Sequence, residues 1–145
     1  MREYFRPNLW PNTPDILTEY LQFGGRPAFM TRLVLAATLG ANYGIYGPAF
    51  DLLDHQAREP GSEEYLDSEK YQIKNWPTAS PDSLSEFSAR INRIRRENKA
   101  LQRDLSLRFH DIGNEQIIAY SKQTEDLVNV IVVVVNLDPH HVQSG

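Results

Sequence analysis

The sequence contains no cysteine. It therefore has neither the disulfide framework of a small secreted domain nor the thiolate ligands of a structural zinc site. This absence fits a reducing compartment, and we expect a cytoplasmic protein.

Long apolar runs are also missing. The longest, VIVVVV at residues 130–135, is far shorter than the roughly 20 residues that a bilayer-spanning helix needs. The first ten residues, MREYFRPNLW, lack the apolar core and the cleavage site of a signal peptide. The sequence thus predicts neither a membrane span nor a signal peptide.

Basic residues are in deficit. The 145-residue chain has 15 Lys and Arg against 19 Asp and Glu, a net charge of −4. Nucleic acids and anionic membranes both favour a basic excess, so we expect neither as a partner. A small molecule or another protein is expected instead. The chain is long enough to bury its own core, and length alone predicts one domain.

The first hundred residues alternate between strand and helix patterns. REYFRPNLW predicts a strand that is ended by the turn Pro-Asn-Thr-Pro. A helix is predicted from Arg26 to Ala41, because Pro27 suits a first turn and apolar residues follow at helical spacing. YGIYGPAFDLL, residues 43–53, then predicts a short strand. Strand, helix and strand in this order favour a parallel sheet.

A long polar connection at residues 54–82 precedes a second predicted helix. Loops of this length in compact domains are often functional. Ser83 and Glu86 have the spacing of a capping box, and an apolar stripe runs from Leu84 to Leu101. Four basic residues lie mainly off this stripe, and we interpret them as a solvated face: Arg90, Arg93, Arg96 and Lys99.

From residue 105 the pattern changes to short strands. LSLRFHDIG, EQIIAYSK and LVNVIVVVVNL follow one another with no helix between them, which predicts an antiparallel sheet. Three strands expose an edge and bury little, so they indicate the start of a larger β-domain. The pattern therefore predicts the last two strand–helix units of an α/β domain followed by the beginning of a β-sandwich. We expect this chain to be a segment of a larger protein.

The stretch PNTPD, residues 11–15, holds a carboxylate on a rigid backbone. Proline fixes its own φ and drives the preceding residue towards extended geometry. Asp15 follows a predicted parallel strand, which is where α/β barrels carry their catalytic groups. It could act as an acid, a base or an electrostatic stabiliser. The alternative is that Asp15 caps a helix formed by ILTEYL, residues 16–21.

A second polar cluster, EEYLDSEKY, occupies residues 63–71. It concentrates four carboxylates, one lysine and two tyrosines. One interpretation is a solvated loop or helix start. The interleaved tyrosines favour another, because aromatic rings beside fixed hydrogen-bonding groups suit the apolar faces and hydroxyl edges of a sugar.

Neither a metal nor a cofactor is predicted. His140 and His141 are adjacent, so on a strand they would point to opposite faces, and no carboxylate pair is placed to complete a site. FGG, residues 23–25, lacks the spaced glycines and the lysine of phosphate-binding loops, and we interpret it as a turn before a helix.

Three long stretches carry a resemblance to a known family. EYFRPNLWPNTPDIL, GRPAFMTRLVLAATLGANYGIYGPAF and EEYLDSEKYQIKNW resemble the family that transfers maltosyl units from α-maltose 1-phosphate to α-1,4-glucans. That family is a subgroup of the α-amylase clan of retaining glycoside-active enzymes. The resemblance continues through ARINRIRRENKALQ into LDPHHVQ, so it covers nearly the whole chain.

The resemblance implies a (β/α)8 TIM barrel followed by a C-terminal β-sandwich. Residues 1–102 would form the end of the barrel, and residues 103–145 the beginning of the sandwich. The implied partners are α-maltose 1-phosphate and an α-1,4-glucan acceptor, and the complete protein is expected to be a homodimer. The family's nucleophile and acid/base residues lie on earlier strands, outside this sequence. The chain alone is therefore not expected to catalyse transfer.

The resemblance also assigns roles to residues. Asp15 matches the carboxylate after the seventh barrel strand, which stabilises the transition state. In most of the clan a histidine precedes this aspartate, whereas here it is Pro14, as in the maltosyltransferases. Lys70 and Tyr71 match a pair that binds the maltosyl donor, and Asp67 and Glu69 are near enough in sequence to assist.

Two alternatives to this function stay open at this point. The chain could belong to another α-amylase-clan enzyme, either a glucan-cleaving or a trehalose-forming one. It could also be a non-catalytic fragment that binds glucan through its C-terminal strands, residues 103–145.

Overall fold

The computed structural model of the chain describes residues 4–77 and 79–145. Its first half is built around a strand–helix–strand unit. β1 (Asn8–Leu9) and β2 (Asn42–Tyr43) pair in parallel, with Asn8 opposite Asn42 and Leu9 opposite Tyr43. The predicted parallel pairing is confirmed. The strands are shorter than predicted, and Arg2 and Glu3, with which the first predicted strand begins, lie outside the described residues.

Two helices connect these strands. α1 (Glu19–Phe23) and α2 (Gly25–Leu39) meet at Gly24. A Cβ on Gly24 would lie 2.4 Å from the Ala28 Cβ atom, so only glycine allows this close junction. FGG was interpreted as a turn before a helix, but only Gly24 lies outside a helix, since Phe23 ends α1 and Gly25 begins α2. The predicted helix from Arg26 to Ala41 corresponds to α2, displaced by one or two residues.

The stretch after β2 was predicted wrongly. Residues Gly47–Asp51 form a short helix, α3, instead of continuing the strand that the pattern predicted for residues 43–53. Pro48 lies in the first turn of α3, where its missing N–H has no intrahelical partner to lose. The helix is too short for its apolar residues to show a helical period.

The second predicted helix exists, but its start differs from the prediction. α4 spans Ser85–Glu97, and a separate 3-10 helix (Lys99–Gln102) contains Leu101. Ser83 Oγ accepts a hydrogen bond of 3.1 Å from the N–H of Ser85, so it closes the turn before α4. The helix is flanked by Leu84, which makes no side-chain cap, and the predicted capping box is therefore wrong. The four basic residues assigned to a solvated face are exposed, as predicted.

The second half of the chain forms an antiparallel sheet of three strands in the order β3-β4-β5, as predicted. The strands are β3 (Arg108–His110), β4 (Ile117–Gln123) and β5 (Val130–Asn136). The sheet packs on α2 through Tyr120, whose hydroxyl is hydrogen-bonded to Thr38 Oγ1.

The main hydrophobic core lies between the helices of the first half. Its largest members are fully buried, and two of them, Phe29 of α2 and Phe50 of α3, have ring centroids 5.2 Å apart. Leu17, Leu21 and Leu33 complete its centre. In the described ranges the architecture is thus mixed α/β with two small sheets, and no helix there has the length and apolar character to cross a membrane.

One face of the antiparallel sheet carries an exposed apolar stripe. Val130, Val132 and Val134 on β5 are 51%, 65% and 63% exposed. An exposed apolar strand at a sheet edge is a surface through which chains associate.

We therefore expect the isolated 145-residue chain to self-associate, and Val132→Lys to shift it towards monomer because a charge opposes edge pairing. Val128→Lys is the matched control, since Val128 is exposed in the β4–β5 turn, off the stripe. Sedimentation velocity measures the effect. A monomeric wild-type chain with a sharp cooperative melting transition would contradict the expectation.

Candidate functional site

Asp15 lies in a tight turn that begins four residues after the end of β1. The turn runs from Thr13 to Ile16 and is closed by two backbone hydrogen bonds of 3.3 Å, one in each direction between these residues. Pro14 and Asp15 occupy its centre, where the fixed φ of proline suits the first of the two positions. The side chain of Asp15 is 61% exposed. The turn therefore presents this carboxylate to solvent on a constrained backbone.

The alternative role of Asp15 as a helix cap is wrong. α1 begins at Glu19, and Thr18 is the flanking residue, so Asp15 lies three residues before the cap position. Residues Ile16 and Leu17, which the alternative placed in the helix, are not helical.

Asn12 fixes the position of this turn. Its side chain is 3% exposed and donates from Nδ2 to the Tyr65 hydroxyl at 3.0 Å and to the Tyr46 carbonyl at 3.3 Å. Its Oδ1 accepts from the backbone N–H of Tyr46 at 3.1 Å. Burial raises the pKa of Tyr65 to about 12, so its hydroxyl stays protonated at neutral pH. Asn12 thus joins the end of β1 to the segment after β2 and to the cluster at residues 63–71.

Lys70 lies directly against Asp15. Its Nζ atom is 3.0 Å from Asp15 Oδ1 and 3.6 Å from Glu64 Oε1. The hydrogen bond to Asp15 raises the pKa of Lys70 above its ordinary value, so the ammonium is charged at neutral pH. The structure therefore brings together two predicted site residues that belong to separate sequence motifs.

Tyr71 joins the same group through Glu64. Its hydroxyl donates to Glu64 Oε1 at 3.1 Å, and the Lys70 ammonium lies 5.4 Å from its ring centroid. The ring is well exposed and lines an open cleft of about 550 Å³ with Arg58, Asp67 and Gln72. An exposed ring beside charged and amide groups can contact a sugar face while its neighbours bind hydroxyls.

Asp67 and Glu69 are placed differently from Lys70. Glu69 accepts hydrogen bonds from the Tyr46 hydroxyl and, at 2.9 Å, from Trp76 Nε1. These two bonds lower the pKa of Glu69, which is thus an anionic anchor for two aromatic side chains. Asp67 adopts a left-handed backbone conformation, with φ of 53°, at the wall of the cleft.

Asn12, Glu64 and Arg58 belong to the site but were not predicted as site residues. Arg58 Nη1 lies 2.9 Å from Glu64 Oε2, which produces a row of alternating charge: Asp15, Lys70, Glu64 and Arg58. Asn12 lies in PNTPD and Glu64 in EEYLDSEKY, but a single buried amide or one carboxylate among four gives no periodic signal. Their contacts join distant parts of the chain and appear only in the fold.

Metal ligation has no geometric support in the part of the chain that the structure describes, where no group of three His, Asp or Glu side chains is arranged to hold an ion. His141 is instead hydrogen-bonded through Nδ1 to Asp138 Oδ2 at 3.0 Å.

Comparisons with known proteins give a consistent result. Residues 109–145 match the family model described as GLGE, C-terminal. The chain is 56% identical over 143 residues to the α-1,4-glucan:maltose-1-phosphate maltosyltransferase of Salinibacter ruber, covering 99% of this chain and 21% of that protein. It is 50% identical over 151 residues to the protein of the same name from Chlorobaculum tepidum, covering 100% of this chain and 22% of that protein.

A third relative of that name, from Corynebacterium glutamicum, is 48% identical over 149 residues, which is 100% of this chain and 22% of the relative. The chain thus spans about a fifth of the length of these relatives. The resemblance inferred from the sequence is confirmed.

Proposed function

We propose, on the premise that this chain belongs by sequence to the α-1,4-glucan:maltose-1-phosphate maltosyltransferase family, that it supplies part of the donor site of a retaining maltosyltransferase. The complete enzyme would move a maltosyl unit from α-maltose 1-phosphate to an α-1,4-glucan acceptor. The two substrates are those named for the relatives.

One observation carries the proposal. The Lys70 ammonium lies 3.0 Å from the Asp15 carboxylate, although the two residues come from loops after different strands of the parallel pair. Both side chains are substantially exposed. A hydrogen-bond acceptor and a donor side by side at the ends of parallel strands are suited to bind neighbouring hydroxyls of one sugar.

The proposal includes a larger architecture than the chain itself forms. β1, α1, α2 and β2 would belong to the last strand–helix units of a (β/α)8 barrel, up to residue 102. The sheet β3-β4-β5 would be the beginning of a C-terminal β-sandwich, from residue 103. The parallel pairing of β1 and β2 and the antiparallel pairing of the later strands are compatible with this division.

In a retaining transfer the reaction passes twice through an oxocarbenium-like state. Asp15 would accept hydrogen bonds from sugar hydroxyls that become stronger donors as positive charge develops at the anomeric carbon. Lys70 and Tyr71 would bind hydroxyls of the maltosyl group next to those that contact Asp15. The nucleophile and the acid/base residue would come from other parts of the complete enzyme.

A segment-swapped enzyme provides the test. It is the S. ruber relative in which the segment matching this chain is replaced by this chain, with residues numbered as here. We expect Lys70→Ala to weaken binding of α-maltose 1-phosphate by about 10- to 150-fold, because a hydrogen bond to a charged group is worth about 1.5–3 kcal/mol.

Isothermal titration calorimetry without acceptor measures the dissociation constant. Lys99→Ala is the matched control, since Lys99 is an exposed lysine on the 3-10 helix. An unchanged dissociation constant in a folded Lys70→Ala enzyme would remove Lys70 from the donor site.

A further inference from the structure

Glu64 is the most enclosed carboxylate of the charged row. Its side chain is 22% exposed, against 61% for Asp15. Its backbone is fixed on both sides, because its N–H donates to Ser62 Oγ at 3.0 Å and its carbonyl accepts from the N–H of Arg58 at 2.8 Å. The carboxylate therefore has a defined position relative to the loop that carries it.

Three donors converge on this carboxylate. Arg58 Nη1 lies 2.9 Å from Oε2, and the Tyr71 hydroxyl and Lys70 Nζ lie 3.1 Å and 3.6 Å from Oε1. An ionised carboxylate has about four acceptor positions, so it can accept both hydrogen bonds while the Lys70 ammonium remains an ion pair at 3.6 Å. The hydrogen bonds from Arg58 and Tyr71 lower the pKa of Glu64, which keeps it ionised.

We propose that Glu64 is a positioning residue for the donor site, which orients Lys70 and Tyr71 towards the bound sugar. This inference rests on the proposed function. Lysine has a flexible four-carbon side chain, and an ion pair limits the rotamers that it samples. Arg58 balances the charge of Glu64, so the Lys70 ammonium keeps its own charge for Asp15 and for sugar hydroxyls.

The ion pair between Glu64 and Lys70 has its largest effect when the donor is bound. Sugar hydroxyls that bind to Asp15 compete with Lys70 for its carboxylate oxygens. Lys70 then retains Glu64 as its ionic partner, which keeps the ammonium at the site while Asp15 contacts the sugar. A residue that acts in this way changes how well the donor is held and leaves the chemical step to other groups.

The experiment measures KM for α-maltose 1-phosphate and kcat in the segment-swapped enzyme. Glu64→Gln keeps the size of the side chain and an acceptor for Tyr71 but removes the ion pairs with Lys70 and Arg58. We expect KM to rise about 3- to 5-fold, the upper end for the loss of one partly exposed ion pair, with kcat changed less than about twofold. Glu63→Gln is the matched control, since Glu63 is the exposed neighbouring carboxylate, and should leave both constants within about twofold.

The double variant Glu64→Gln with Lys70→Ala tests the route of the effect. If Glu64 acts through Lys70, the double variant has the same KM as Lys70→Ala within about twofold. Two effects that multiply would overturn the inference, as would a Glu64→Gln enzyme with normal KM beside a Lys70→Ala enzyme that binds poorly. In both cases the proposed function stands.

If Lys70→Ala itself leaves donor binding unchanged, the proposed donor site fails and the inference fails with it. A lowered melting temperature with an unchanged KM for Glu64→Gln would show a structural role only and would also overturn it.

Discussion

Asp15→Asn should lower kcat of the segment-swapped enzyme by about 100- to 1000-fold, the usual effect of removing one preorganised group that stabilises a transition state. Binding of the donor should weaken much less. The reason is that the hydrogen bonds of Asp15 strengthen mainly as positive charge develops on the sugar, and a neutral amide responds less to that charge. The tight turn from Thr13 to Ile16 and the buried Asn12 hold the carboxylate in place beforehand.

Phosphate release with a glucan acceptor measures this effect, together with a melting curve for both proteins. Asp111→Asn is the control, because Asp111 is exposed between β3 and β4. Its Oδ1 accepts a hydrogen bond from the N–H of Gly113, and an asparagine at this position can accept the same bond. Near-normal turnover by a stably folded Asp15→Asn enzyme would end the catalytic interpretation of Asp15.

The unfolding free energy of wild type relative to Lys122→Met should rise as the pH increases above 8. Lys122 on β4 has a fully buried side chain, and its Nζ atom reaches the Leu39 carbonyl at 3.3 Å and the Leu101 carbonyl at 3.5 Å. Burial lowers the pKa of Lys122 from 10.5 to about 8, with Asp104 opposing the shift. The fold therefore disfavours the charged form of this lysine.

The sign of the pH dependence follows from the lowered pKa. Between pH 8 and pH 10.5 the unfolded chain binds a proton at Lys122 that the folded chain has released, so the unfolding free energy rises with pH. Below pH 8 both states are protonated, and the folded state carries a constant destabilisation of about 3 kcal/mol. Methionine does not titrate, so the variant lacks this pH dependence.

All other titrating groups are the same in wild type and Lys122→Met, so their contributions cancel in the difference between the two unfolding free energies. We expect the unfolding free energy of wild type relative to Lys122→Met to rise by about 2 kcal/mol between pH 7 and pH 9.5. Urea unfolding of the segment-swapped enzyme at the two pH values measures it, with Lys99→Met as the control for an exposed lysine. A difference that does not change with pH would show that Lys122 titrates normally.

Local sequence patterns predicted most of the secondary structure. Apolar periodicity identified α2 and α4, and alternating short strands identified β3, β4 and β5 with their antiparallel pairing. The errors occur where an element is too short, or its boundary too local, to produce a repeating apolar pattern. α3 has five residues, and the start of α4 depends on whether Ser83 caps the helix or closes the turn before it. Both outcomes have the same residue spacing.

The candidate site was only partly predictable. Asp15 and Lys70 were each identified by local features and by the resemblance, but nothing local indicates that their side chains meet. That contact depends on Asn12, which joins β1 to Tyr46 and Tyr65 and so brings the Asp15 turn to the Lys70 loop. The role proposed for Glu64 depends on contacts with three residues, and no sequence pattern distinguishes it from Glu63.

The central claim is that Asp15 and Lys70 bind one sugar of the donor. The most direct measurement is a crystal structure of the segment-swapped Asp15→Asn enzyme with α-maltose 1-phosphate, since the slow variant should retain the intact donor. We predict maltosyl hydroxyls within about 3.2 Å of both Lys70 Nζ and the side chain at position 15. An intact donor bound in the enzyme without contact to either side chain would contradict the claim.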